Sequence, residues 1–106
     1  MARIVTVGAA QLGPIQRAEP REAVIARMLA LLERAAEQGC DLVVYPELAL
    51  TTFFPRWELE GDALDAFYER ETPPAAARPL LDRAAALGVA LSFGFAELTP
   101  EGRRFN

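Results

Sequence analysis

A single carboxylate, Glu47, comes directly after an apolar segment and is the residue of this sequence best placed for chemistry. Residues 41–45 include two adjacent valines and predict a buried strand, which Pro46 ends just before the carboxylate. An apolar, aromatic loop follows at residues 48–57. A carboxyl group held beside such a loop is expected to be buried, and desolvation raises the pKa of a glutamate so that it accepts a proton near neutral pH. The position therefore suggests a general base, although most glutamates that follow a strand are simply solvated.

The sequence offers few partners for such a base. It contains no histidine, which excludes a Ser–His or Cys–His pair within these 106 residues. Cys40 is the one thiol, but it precedes the predicted strand whereas Glu47 follows it, and five strand residues span roughly 15 Å. We therefore interpret Cys40 as a small core residue. Lysine is absent as well, since all 11 basic residues are arginine.

The loop after the carboxylate contains three aromatic residues that could line a substrate pocket, Phe53, Phe54 and Trp57. The alternative is that they are core or interface aromatics, and the sequence leaves both interpretations open. Arg56 could hold a substrate carboxylate through its forked N–H donors, although a surface or ion-paired arginine is the more common case.

The elements around this loop follow an alternating order. A wide apolar stripe at helical spacing predicts a helix from Pro20 to residue 36, with Gly39 as its stop. The other predicted elements are a first strand at 3–8, a short helix at 62–70, a long helix at 75–87, a third strand at 89–97, a turn at 99–102 and a fourth strand beginning at 103. This order predicts an α/β fold with parallel strands, and an antiparallel pair at its end.

Composition limits the classes of function. A chain of 106 residues that is 52% hydrophobic fits one small domain with its own core. The net charge of −4 and the lack of a basic run predict no nucleic-acid partner. No apolar run has the length of a membrane span or a signal peptide, so we expect no membrane partner and a cytoplasmic location. A single cysteine fits a reducing compartment.

The segment around the carboxylate also resembles a known family. Residues 43–48, Val-Val-Tyr-Pro-Glu-Leu, resemble the general-base motif of the nitrilase superfamily of carbon–nitrogen hydrolases. The longer string at 46–57, Pro-Glu-Leu-Ala-Leu-Thr-Thr-Phe-Phe-Pro-Arg-Trp, is similar to the N-carbamoyl-D-amino-acid amidohydrolase branch. The resemblance extends along the chain from residues 7–11 to residues 103–106.

This resemblance implies a fold and a reaction. The fold would be an α-β-β-α sandwich, with residues 1–106 as the N-terminal portion of one such domain, and the assembly would be a homo-oligomer. The small-molecule substrate would be an N-carbamoyl-D-amino acid, hydrolysed to the D-amino acid, CO2 and ammonia without a metal or organic cofactor. Glu47 would be the general base of a Glu–Lys–Cys triad. Because the other two members are missing, we expect the 106-residue chain alone to be inactive.

Two other interpretations remain. The chain could be a stand-alone, non-catalytic α/β module that associates through an exposed sheet edge. It could also be a complementing fragment whose partner chain supplies the lysine and the cysteine, although nothing in the sequence indicates such a partner. A native gene product much longer than 106 residues would favour the enzyme.

Overall fold

The computed structural model describes residues 2–106, which form two groups of strands and three helices. The strands are β1 (Val7–Ala9), β2 (Leu42–Val44), β3 (Ala90–Ser92), β4 (Glu97–Leu98) and β5 (Arg104–Phe105). The helices are α1 (Arg21–Glu37), α2 (Gly61–Asp65) and α3 (Arg78–Leu87), with single 3-10 turns at Phe54–Arg56 and Ala75–Ala77.

The first three strands form a parallel sheet in the order β1-β2-β3. Gly8 of β1 and Leu91 of β3 flank Val43 of β2 in register. Parallel neighbours need a crossover connection, and α1 supplies the first while α2 and α3 lie in the second. The prediction of parallel pairing is therefore confirmed. Parallel pairing brings the carboxyl ends of the three strands to one edge of the sheet.

One face of this sheet is covered by α1 and α3, which pack against each other. The fully buried side chains there are Val24, Met28 and Leu32 of α1, Val43 of β2 and Leu80 of α3. Burying each of these side chains contributes about 1.5–3 kcal/mol. This core fixes β2, the strand that leads to Glu47.

The opposite face of the sheet is apolar and uncovered within residues 2–106. Val7 is 54% exposed and Val44 is 38% exposed, while Gly8 and Val43 between them face the helices. The α/β class is thus confirmed. The α-β-β-α sandwich stays a prediction, because no second sheet covers this face in the part of the chain that is described.

The predicted single strand at 89–97 is wrong. β3 ends at Ser92 and β4 begins at Glu97, because the intervening residues leave the sheet and pack against the turn after β2. The carbonyl of Gly94 accepts a hydrogen bond from the Ala49 N–H at 2.9 Å in that turn. β4 then pairs with β5 in an antiparallel hairpin. The predicted turn at 99–102 and the strand after it are confirmed.

The three predicted helices are present, and α2 and α3 are shorter than predicted. α1 is followed by Gly39 and α3 by Gly88, both in the left-handed conformation with φ of 78° and 70°, as expected for glycines that end helices. α2 ends at Asp65 and not at residue 70, and residues 75–77 form a 3-10 turn before α3. Among residues 2–106, no helix combines the length and apolar character needed to cross a membrane.

Candidate active site

Glu47 begins the turn at residues 47–50, at the carboxyl edge of the parallel sheet. Two residues earlier, Tyr45 anchors the end of β2. Its N–H donates to the Ser92 carbonyl at 2.8 Å, and its buried hydroxyl donates to the Met28 carbonyl of α1, also at 2.8 Å. Burial disfavours the phenolate and raises the pKa of Tyr45 to about 12. The strand end that carries Glu47 is therefore held by both the sheet and a helix.

The residue after the carboxylate, Leu48, has a positive φ of 47°. A non-glycine residue in this left-handed region costs about 1–3 kcal/mol, and such strain persists only where the surroundings hold it. Here the Leu48 side chain is buried in a small cluster with Phe54 and Ala96. Strained residues of this kind gather at active sites and ligand clamps, so the turn is a candidate functional site on backbone geometry alone.

Gly94 lies against the same turn. A Cβ at position 94 would lie 3.3 Å from the Glu47 Cα and 3.4 Å from the Leu48 nitrogen. Such close backbone contact favours glycine. The segment between β3 and β4 thus fixes the position of the Glu47 main chain.

The Glu47 carboxylate is exposed, and the expectation that it is buried is wrong for this structure. The turn points it outward at the sheet edge, where nothing within residues 2–106 covers it. Its Oε1 accepts a hydrogen bond from Nδ2 of Asn106 at 2.5 Å. In the described part of the chain, this is the one hydrogen bond of that side chain.

A cavity of about 160 Å³ lies beside Glu47, between the loop at 12–15 and the loop at 46–56. Phe53 lines it, with about half of its surface exposed. Arg56 lines it as well and has no ion-pair partner among residues 2–106. The structure therefore brings Glu47, Phe53 and Arg56 together around one cavity.

Phe54 and Trp57 lie outside the lining of this cavity. Phe54 is buried and stacks on Phe67 with ring centroids 5.1 Å apart. Trp57 is half-buried, and the guanidinium groups of Arg17 and Arg56 lie 4.9 and 5.3 Å from the centroid of its ring. Both rings support the loop that carries Phe53, and their contact with a substrate stays a prediction.

Cys40 lies at the far end of β2 from Glu47 and packs between β1 and α1. Its Sγ is 3.1 Å from the point that a Cβ on Gly8 would occupy, next to Ala35. The side chain is partly buried against the main core. These contacts agree with the interpretation of Cys40 as a core residue.

A larger cavity of about 480 Å³ runs between α1 and β1, on the edge side of the sheet. Arg34, Gln38 and the Cys40 thiol line it, but no carboxylate does. It exists because β1 has a neighbour on one side only. The candidate active site remains at Glu47.

The site can move a proton at Glu47, hold an anion at Arg56 and contact an apolar group at Phe53. No cysteine lines the cavity, and residues 2–106 hold no cluster of three or more side chains that could bind a metal ion. Sequence reasoning missed Asn106, which is 59 residues from Glu47 and is brought to it by the β4–β5 hairpin. The glycine inside the predicted strand at 89–97 was a usable signal for the close backbone approach.

A comparison with protein families agrees with this geometry. The sequence model of the family described as carbon–nitrogen hydrolase matches residues 6–105. The match covers the parallel sheet and the turn with Glu47, and it continues through the β4–β5 hairpin. This supports hydrolysis of a carbon–nitrogen bond as the general activity. By this match over nearly its whole length, the chain belongs to the carbon–nitrogen hydrolase family.

Proposed function

We propose that Glu47 is the general base of a hydrolase acting on N-carbamoyl-D-amino acids. The observation that carries the proposal is the shared cavity, which Glu47, Phe53 and Arg56 line together. Such a substrate has an uncharged carbamoyl group to be attacked, a carboxylate and a side chain. The three residues offer a group suited to each of these parts.

The reaction consumes one water per substrate. The carbamoyl amino acid and water give the free amino acid, CO2 and ammonia. Glu47 would accept the proton of a cysteine thiol as its sulfur attacks the carbamoyl carbon, and would give that proton to the nitrogen that leaves as ammonia. It would later accept the proton of the water that releases the acyl group. The thiol and a lysine that stabilises the tetrahedral intermediate come from outside these 106 residues in this proposal. The selectivity for the D-configuration is supported by the resemblance at residues 51–57.

Arg56 supports an acidic substrate. Its guanidinium group carries forked donors that match a carboxylate, and Arg56 lines the cavity without an acidic partner in the described residues. Phe53 would contact the substrate side chain. The Arg56 contact adds to the carbamoyl chemistry and is not required for it.

In the proposed enzyme the second sheet of the α-β-β-α sandwich covers the uncovered sheet face, and the resemblance alone supports the homo-oligomer that we include in the proposal. Val7 and Val44 are large apolar residues exposed on that face. The same observation favours a second candidate function, a non-catalytic module that associates through the sheet and its edge strand β1. The two differ in whether the native product has turnover.

The test begins with the native gene product from its source. Its intact mass is compared with the 11.6 kDa of this chain, and ammonia release is measured with matched D- and L-carbamoyl amino acids. We expect a larger protein that releases ammonia from the D-enantiomer. A product of 11.6 kDa that assembles without turnover would establish the module instead.

The role of Glu47 is then tested in that product. Glu47→Gln keeps the shape of the side chain and removes the base, so turnover should fall by about 10²–10⁴-fold while folding is kept. The matched control is Glu58→Gln, which changes another exposed glutamate close to the same loop. Turnover retained in Glu47→Gln would refute the general-base assignment.

A further inference from the structure

We infer that Asn106 is a positioning residue that orients the Glu47 carboxylate. The inference rests on the proposed function for its catalytic meaning, because it assigns to Asn106 the task of presenting the general base. The observation itself is independent of turnover. Nδ2 of Asn106 donates to Oε1 of Glu47 at 2.5 Å, across 59 residues of sequence.

Asn106 follows a strand whose own position is well determined. β5 pairs with β4 in a register that sets Glu97 opposite Phe105. The hairpin is closed at its turn, where the Arg103 N–H donates to Oγ1 of Thr99 at 3.0 Å and the Thr99 N–H donates back to the Arg103 carbonyl at 2.8 Å. These bonds set where residue 106 emerges.

The hairpin is also tied to the helical side of the molecule. The guanidinium group of Arg104 donates to Asp65 of α2 at 2.6 Å and lies 5.4 Å from the ring of Tyr68. On the β4 side, the Leu98 N–H donates to the Glu69 carbonyl at 2.9 Å. Asn106 therefore reaches Glu47 from a hairpin anchored on both of its strands.

The two ends of Glu47 are fixed by different parts of the chain. Its Cα is held by the close contact with Gly94 and by the strained Leu48 that follows. Its carboxylate, three rotatable bonds away, is held by Asn106. Without the amide, an exposed glutamate would populate several staggered rotamers.

An amide donor suits this task. A hydrogen bond to an ionised carboxylate is stronger than one between neutral groups, yet the amide carries no charge that would neutralise the base. Because it engages Oε1, the second oxygen has no hydrogen bond within residues 2–106 and stays available for the proton. An arginine or lysine at this position would stabilise the ionised form of the Glu47 carboxylate and so make it a weaker base.

The experiment is side-chain NMR on the 106-residue chain. Three-bond couplings along the Glu47 side chain are measured in the wild type, in Asn106→Ala and in Asn106→Asp, which keeps the shape of asparagine but cannot donate when ionised. We expect the couplings of a single rotamer in the wild type. In both variants the Glu47 couplings should take values averaged over several rotamers, while the backbone amide chemical shifts of the hairpin should not change. A purely structural role would move the hairpin shifts and leave the couplings alone.

A second measurement leaves Asn106 unchanged. Its side-chain amide resonances are followed in Glu47→Gln and in the matched control Glu58→Gln. We expect a shift with the first change only. Three results would each overturn the inference. They are averaged couplings in the wild type, unchanged couplings in Asn106→Ala, and Asn106 amide resonances that do not shift in Glu47→Gln. Because no turnover is measured, failure here is distinct from failure of the general-base role.

Discussion

Tyr45 should make the stability of this protein fall steeply in alkaline solution. Burial raises the pKa of this tyrosine from 10.0 to about 12. Below pH 10 the phenol is neutral in both states. Between pH 10 and pH 12 the unfolded chain releases the proton while the folded chain keeps it, so unfolding is favoured as pH rises. Once the pH exceeds the folded-state pKa of Tyr45, the unfolding free energy has fallen by the full amount that the pKa difference allows.

The size of the effect follows from the two pKa values. A shift of about 2 units corresponds to an unfolding free energy that is about 1.3 kcal/mol lower at pH 11 than at pH 9. For a chain of this length that loss lowers the melting temperature by roughly 5–10 °C. The chain has neither lysine nor histidine, which leaves few other groups to titrate in this window.

The assay is thermal unfolding at pH 9 and pH 11 for the wild type, Tyr45→Phe and Tyr68→Phe. Tyr45→Phe should cost about 1 kcal/mol at pH 9, because the hydroxyl no longer donates to the Met28 carbonyl. This substitution should also remove most of the decrease in melting temperature between pH 9 and pH 11. Tyr68→Phe removes the other tyrosine of the chain and should keep that loss. An alkaline loss of equal size in Tyr45→Phe would refute the reasoning.

Two further predictions concern glycines at close contacts. Gly94→Ala should lower the unfolding free energy in urea by about 1–3 kcal/mol, because its Cβ would press on the Glu47 main chain at 3.3 Å; a change below about 0.5 kcal/mol, the range of ordinary surface substitutions, would contradict this. Gly8→Ala should cost a similar amount through its contact with Cys40 Sγ at 3.1 Å. Adding Cys40→Ala removes that sulfur and should recover part of the lost unfolding free energy. If the losses of the two single variants simply add in the double variant, the contact is not the cause.

The sequence predicted the helices and the order of the elements well because their signals are local, although the predicted first strand at 3–8 is wrong in its bounds, since β1 is Val7–Ala9. The apolar stripe of α1 and the glycines after α1 and α3 are properties of short segments, and the structure has them in those places. Parallel pairing of β2 also followed from the order of elements. These features depend on periodicity and on backbone preferences that act within a few residues.

The site was harder to predict because its geometry is not local. The break after Ser92 depends on Gly94 packing against a turn that lies more than forty residues earlier. The exposure of Glu47 and its contact with Asn106 depend on where the hairpin lies relative to the sheet. Phe53 and Phe54 are identical and adjacent, yet the backbone turns one ring toward the cavity and the other into a stack with Phe67. Amino-acid type could not separate them.

The pair of guanidinium groups around Trp57 makes this residue an optical probe of the candidate site. It is the chain's single tryptophan, so its fluorescence reports on one position without labelling. Arg56 belongs both to the indole contact and to the cavity beside Glu47. A ligand carboxylate that draws Arg56 toward itself would remove a positive charge from beside the ring and change the emission wavelength. Occupancy of the cavity can thus be followed by tryptophan fluorescence without a measurement of turnover.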